Sequence, residues 1–206
     1  MRRPLFIAKQ AGHPSGLLGR FIGWVMSHET ADANAKTLDL LNVQPVDHVL
    51  EVGFGHGRTI ARAVALTPRG QVTGVEVSEQ MVEMATAFNT EEVHEGRVTL
   101  QRTDGTHVPF PDGSFDRAYS VHTIYFWPDA ATQLREIHRV LKPGGRLVIT
   151  FRYGEGASAD LPAPIYVHRA PEVVVSLLQE VGFGSVTLCQ DPSVFFAIAD
   201  KTAATE

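Results

Sequence analysis

"VLEVGFGHGRT", residues 49–59, is the stretch that decides the fold. An apolar run ends at Val52, glycines follow at 53, 55 and 57, and a helix-forming segment, "RTIARAVAL", starts at Arg58. Strand, glycine turn, helix is the first half of a parallel α/β unit, and the glycines let the backbone approach a ligand closely. The alternation continues downstream. "QVTGVEV" reads as a strand, "SEQMVEMATAFNT" as a helix with Ser78 placed to cap it, and "RVTLQR" as a third strand. "VPFPDGSFD" is a turn-rich loop, "RAYSV" a strand, and "DAATQLREIHRVL" a helix with Leu134, Ile137 and Leu141 at helical spacing. "KPGG" suits a type II turn with Gly144 at positive φ, and "RLVITF" is a buried strand. The last third differs. After the helix "PEVVVSLLQEVGF", the strands "SVTLC" and "SVFFAIA" are joined by "QDP", too short for a parallel crossover, so they pair antiparallel. The expected fold is α/β and Rossmann-like: a mostly parallel sheet with helices on both faces and a C-terminal antiparallel hairpin.

Composition narrows the function. The 206 residues suffice for one domain with its own core, and the hydrophobic and charged fractions, 44% and 20%, are those of a soluble globular protein. The net charge of −5, with no basic run, argues against nucleic acid as a partner. No stretch approaches the length of a membrane span, and the apolar residues after Pro4 are too few for a signal peptide, so the cytoplasm is the expected compartment. A single cysteine, Cys189, excludes an internal disulfide and reads as a small core hydrophobe. The histidines show no metal-site spacing, and no metal is expected.

The glycine loop fits neither common nucleotide fingerprint. G-x-G-x-x-G fails from Gly53, where the sixth position is Arg58, and from Gly55, where it is Ile60; no P-loop pattern is present. Glu51 is a poor neighbour for a pyrophosphate but a good one for a cation. S-adenosylmethionine (SAM) is such a ligand: an adenosine without phosphates, an ammonium and a sulfonium. Glu76, closing the second strand, can accept both ribose hydroxyls. Asp104, closing the third, can accept from the adenine amino group, with Gly105 letting the base lie near the backbone.

The segment from about Val46 to Phe151 resembles the class I SAM-dependent methyltransferases, in the branch with the ubiquinone and menaquinone C-methyltransferases. The resemblance rests on "VLEVGFGHG", "VTGVEVSEQMVEMA", "TDGTHVPFPDGSFDRAYSVHTIYFWPD" and "LREIHRVLKPGGRLVIT", in that order at the family's spacing. It implies a seven-stranded sheet. It implies that Glu51, Gly53, Phe54, Gly55 and Gly57 hold the methionine part and Glu76 the ribose. Val77 and Met81 would pack on the adenosine, Asp104, Gly105 and Thr106 would border the adenine, and Ser120 would line the cleft near the methyl group.

A methyltransferase mainly aligns nucleophile, methyl and sulfur, which contributes roughly 7–11 kcal/mol. The segment "SVHTIYFWPD" should face the methyl. There His122 is the candidate base, or only a packed and hydrogen-bonded imidazole. Tyr125 is the second catalytic candidate; with Phe126 and Trp127 it is either an aromatic wall for the acceptor or a core cluster. Residues 1–45 are expected to form a helical lid before a SAM-binding domain over 46–206, with Phe21 and Trp24 reaching the substrate; a helix merely docked on the sheet is the alternative. Arg152, Tyr153 and Tyr166, around the Gly- and Pro-rich segment after the fifth strand, complete the substrate list. The absence of N/D-P-P-Y after strand four disfavours DNA and glutamine amide substrates. The expected function is methyl transfer from SAM, leaving S-adenosylhomocysteine, to a small molecule that is aromatic, quinone-like or lipid, by a monomer or homodimer. A SAM-binding sensor and an NAD-dependent oxidoreductase are the rival readings.

Overall fold

The structure is a computed structural model that describes residues 30–153, 167–192 and 194–203. In chain order the elements are α1 (Ala31–Leu41), β1 (His48–Val52), α2 (Arg58–Leu66), β2 (Gln71–Glu76), α3 (Glu79–Phe88), α4 (Thr90–His94) and β3 (Val98–Arg102). β4 (Phe115–Val121), a 3-10 turn (Ile124–Phe126), α5 (Ala130–Val140), β5 (Leu141–Arg152), α6 (Pro171–Glu180), β6 (Phe183–Asp191) and β7 (Val194–Lys201) follow. The seven strands lie in the order β3-β2-β1-β4-β5-β7-β6. β1 to β5 pair parallel, and β7 runs antiparallel to both β5 and β6, so the expected terminal hairpin is present.

Strand periodicity divides the core in two. Leu50 and Val52 of β1 face one layer, packed with Leu134 and Ile137 of α5 and Val174 and Leu178 of α6. Val49 faces the other, with Leu38 and Leu41 of α1 and Ile60, Ala63 and Val64 of α2. Each such side chain, fully buried, contributes roughly 1.5–3 kcal/mol. Glu51 sits in the alternation with Val49 and so points into the α1/α2 layer. Ser78 caps α3, accepting from the Met81 amide at 3.4 Å, and Asp129 caps α5, accepting from the Thr132 amide at 3.1 Å.

Several boundaries differ from the sequence reading. β5 starts at Leu141 rather than Arg146, because Leu141 pairs with Phe115 before the chain turns through Gly144 (φ 77°) and resumes the register at Arg117↔Arg146. The five-residue α4 and the 3-10 turn leave no apolar periodicity to read. Cys189 is not a core residue; it is half-buried on β6, the sheet's edge strand. Of the segment 1–45 only its end is described, and there α1 is docked on the sheet: Leu38 and Leu41 are buried, and the Thr37 and Thr150 hydroxyls meet at 2.6 Å. Among the described residues no helix is long and apolar enough to cross a membrane.

Candidate functional site

The strand order reverses between β1 and β4, and the loops leaving their carboxyl ends lie at the usual ligand position in such sheets. The glycine loop forms one wall. Gly53, Gly55 and Gly57 all have positive φ, at 79°, 55° and 81°. The Gly53 amide donates to Val75 at 2.8 Å and the Gly55 amide to the Glu76 carboxylate at 3.0 Å, tying the loop to β2. Gly57 begins α2, whose end carries no side-chain cap.

Two carboxylates flank this loop. Glu76 accepts from the Gly55 amide on one oxygen and from the Val77 and Ser78 amides, at 2.8 and 3.1 Å, on the other. It therefore also shapes the turn it belongs to. Glu51 is 3% exposed and accepts the Tyr119 hydroxyl at 2.7 Å. The two residues are direct partners across the β1–β4 pairing, so their side chains leave the sheet on the same face. Burial pushes the Glu51 carboxyl up from 4.5 to about 8; the Tyr119 hydrogen bond pulls against this and the nearby Glu76 charge adds to it. Tyr119 is itself raised, by burial and by Glu51.

The loops after β2 and β3 meet at Gly105 (φ 78°), where a Cβ would come within 2.9 Å of Val77. Asp104 is exposed, and its Oδ1 accepts from the Thr106 amide and hydroxyl, both at 2.8 Å, and from the His107 amide at 3.3 Å. These bonds, that of the Thr106 amide first, hold Asp104 below the usual carboxylate range. A recess of about 420 Å³ lined by Gln101, Arg102, Thr103, Asp104, His107 and Pro109 opens alongside. The loop is fastened from below by α5. The Arg139 guanidinium donates to the Val108 and Phe110 carbonyls and to Asp112, and Glu136 accepts from Arg139 and the Val108 amide and lies 2.5 Å from His107. The Arg139 hydrogen bond is the main reason the Glu136 carboxyl falls to about 2.

The turn after β4 supplies the facing wall. His122 has φ 55°, strained for a non-glycine residue, and its amide donates to the Thr150 carbonyl at 2.8 Å. Its Nδ1 lies 3.3 Å from the Tyr125 hydroxyl, while its Nε2 is buried with no hydrogen-bond partner. Burial, then the Arg152 charge, lowers the imidazole from 6.5 to about 4, so it is neutral at physiological pH. Tyr125 is buried, and its hydroxyl accepts from the Arg152 amide. Arg169 clamps the turn from below, donating to the Ile124, Val167 and Trp127 carbonyls at 2.9, 3.2 and 2.5 Å.

The expected site residues thus divide. Glu51, the three glycines, Glu76 and Val77 come together at the mouth of β1 and β2, with Asp104, Gly105 and Thr106 beside them. Four expectations need correction. Phe54 is buried with its ring against Gly74 of β2, so only its backbone belongs to the loop. Met81 is a core residue, 2% exposed. Ser120 lies within β4, not after it, and its hydroxyl is spent on the Val52 carbonyl at 2.9 Å. Trp127 belongs to the hydrophobic core rather than to an acceptor wall, because the turn folds it under. Arg152 is half-buried at the end of β5, with its Nε unpartnered, and Tyr153 is exposed next to it. Phe21, Trp24 and Tyr166 lie outside the described residues.

Tyr119, Asn89 and Thr123 are missing from the sequence reading. Asn89 is fully buried and donates to the Gly57 carbonyl at 3.1 Å, seating the loop on α3. The Thr123 side chain would meet a Cβ at Gly53 within 2.5 Å. Only long-range register brings these groups together; no local pattern announces them.

Residues 50–149 match a family model described as a methyltransferase domain. An O-methyltransferase of Penicillium expansum is 36% identical over 116 residues, 56% of this chain and 42% of that protein. An uncharacterized methyltransferase of Bacillus subtilis is 30% identical over 130 residues, 63% of this chain and 70% of that protein. Among solved structures, the S-adenosylmethionine-dependent methyltransferase SibL superposes with a TM-score of 0.74 at 21% identity, covering 98% of this chain and 63% of the other. The chain spans only part of the fungal O-methyltransferases it matches, 42%, 38% and 59% of three of them.

Proposed function

The chain belongs to the class I SAM-dependent methyltransferase family, and from that membership we propose that it moves a methyl group from SAM to a small-molecule acceptor by direct displacement, without a metal, in the cytoplasm, as a monomer or homodimer. The observation that carries the reading is the pair of carboxylates astride an open glycine loop. A Cβ at Gly55 would meet no atom of the described residues within 4 Å, which leaves the backbone there open to a ligand. Glu51 would hold the ligand's cationic end. Glu76, aligned by three amides, would hold the ribose. Val77, Asp104, Gly105 and Thr106 would border the adenine. The bound cofactor supplies an electrophilic methyl on a sulfonium, so the protein need only orient the acceptor and exclude water.

His122 and Arg152 are the groups we assign to the acceptor. His122 is neutral, so a ring nitrogen can take a proton from a hydroxyl or hydrogen-bond it in place; Tyr125 fixes the ring through Nδ1. Tyr125 thus acts through His122. Phe21, Trp24, Tyr153 and Tyr166 are assigned to the acceptor on their sequence positions alone, and the lid role of residues 1–45 likewise. The O-methyltransferase relatives make an oxygen acceptor the first to try. The test is incubation with methyl-labelled SAM and a cell extract, followed by separation of small molecules, lipids, protein and RNA. Label among small molecules or lipids is expected; label in protein or RNA refutes the acceptor class, and protection of the fold by NAD but not SAM refutes the cofactor.

A further inference from the structure

Glu51 is a carboxyl group shut into the protein with one designed partner. Tyr119 is fully buried, and its hydroxyl reaches no described group but the Glu51 carboxyl. No hydrogen bond engages the second Glu51 oxygen among the described residues. The charged surroundings are sparse. From β2, Glu76 opposes ionisation of Glu51, and β4 contributes only Tyr119. Asp32, Lys36 and Asp39 on α1 and Arg58 and Arg62 on α2, the helices covering this layer, are all exposed to solvent. In the loop, His56 is half-buried and its Nδ1 is occupied by the Arg58 amide. Among the described residues no basic side chain is hydrogen-bonded to Glu51, so a stable carboxylate there calls for a cation brought by the ligand.

We propose that Tyr119 is a positioning residue for cofactor binding: with Glu51 it forms a proton-exchanging seat for the ligand's ammonium, in which Glu51 is a neutral acid before binding and an ionised, Tyr119-held carboxylate after it. The seat rests on the reading that the glycine loop holds SAM. The balance is one proton released to solvent as the ammonium docks, with no covalent change. Such a seat favours a ligand that brings a localised, hydrogen-bonding positive charge. A neutral isostere cannot repay the desolvated carboxylate and binds over the acid form. S-adenosylhomocysteine keeps the ammonium, so the seat treats substrate and product alike and reads the amino-acid end only.

The coupling has a signature that a merely structural role for Tyr119 lacks. The affinity for S-adenosylhomocysteine should rise with pH as Glu51 ionises, by about eightfold from pH 6 to 7, level off near pH 8, and fall above it as the ligand's own α-amino group loses its proton. Titration calorimetry at pH 7 in buffers of different ionisation enthalpy should show a net release approaching one proton per ligand bound. Tyr119→Phe removes the bond that favours the ionised form. It should weaken binding about tenfold at pH 7, and the deficit should narrow to about twofold by pH 9, where both proteins carry the carboxylate before the ligand arrives. Glu51→Gln should lose the ascending limb and keep the descending one. Circular dichroism at each pH separates these effects from unfolding. A flat affinity between pH 6 and 8 without proton release, or a Tyr119→Phe deficit that is the same at every pH, overturns the coupling. Absence of binding by SAM and S-adenosylhomocysteine at every pH refutes the cofactor reading instead.

Discussion

Replacing Glu51 by glutamine should make the ligand-free protein more stable, by an amount that grows with pH. The side chains are nearly isosteric, and the amide carbonyl of the substituted side chain can still accept the Tyr119 hydroxyl that now lies 2.7 Å from the carboxyl. The folded protein raises the Glu51 carboxyl from 4.5 to about 8. A group raised in the folded state holds its proton more tightly there than in the unfolded chain. Its folded form is therefore favoured below the unfolded value, and stability is lost as pH climbs from about 4.5 to about 8. At 1.36 kcal/mol per unit, the loss is roughly 1 kcal/mol by pH 5, roughly 3 by pH 7 and roughly 4 by pH 8. The amide carries none of it. Urea unfolding of both proteins at pH 5, 7 and 8, without ligand, should give stability differences that widen by roughly 2–3 kcal/mol between the first two pH values. Parallel stability profiles for the two proteins would show that Glu51 ionises as an ordinary carboxylate, and the buried-acid account would fail. The same substitution should cost cofactor affinity, so the acid would be kept for function against stability.

Three further outcomes follow from the geometry. Glu76→Ala should abolish measurable SAM binding in calorimetry and also lower the melting temperature by a few degrees, because three backbone amides lose their acceptor; an unchanged melting temperature would show that the turn holds itself. Arg139→Met should destabilise by about 2–4 kcal/mol in urea and raise amide exchange across residues 103–112, since two carbonyls and two carboxylates lose their partner; exchange confined to α5 would refute the clamp. His122→Asn keeps a residue that tolerates positive φ, so the turn should survive while turnover drops at least tenfold with cofactor affinity intact; turnover within a few-fold would make His122 a packing residue.

The sequence carries the strand–helix alternation, the hairpin and the glycine turn after β1 because those signals are local. Ser78 reads as a cap and is one; "QDP" reads as a hairpin connection and is one. Orientation and register are not local. Ser120 reads as a crevice residue, yet β4 runs one residue beyond it, to Val121, and its hydroxyl turns to β1. Phe54 sits among loop glycines, yet its ring packs against Gly74, where a Cβ would come within 2.4 Å of it. Trp127 follows an aromatic run like a pocket wall, and Arg169, far along the chain, pulls its carbonyl under. The Tyr119–Glu51 contact joins residues 68 apart in sequence through one pairing register, which no single-strand pattern encodes.

The glycine motif itself separates into three different physical demands. Gly57 is a packing requirement: a Cβ there would strike Ala85 at 2.6 Å and Asn89 at 2.8 Å, lifting α2's start from α3. Gly53 is a coupling requirement. A Cβ would strike Thr123, which belongs to the same turn as His122, so any residue but glycine would push that turn away from the glycine loop. A Cβ at Gly55 would meet no atom of the described residues within 4 Å, and the demand there is conformational, set by a φ of 55° and by the amide it donates to Glu76. A residue there strains the backbone while its Cβ clashes with none of the described residues, and its side chain would project into the space where we place the cofactor. Substitutions at 53 and 57 should therefore act through folding and the spacing of the two loops, whereas substitution at 55 should act through backbone strain and, where we place the cofactor, ligand affinity.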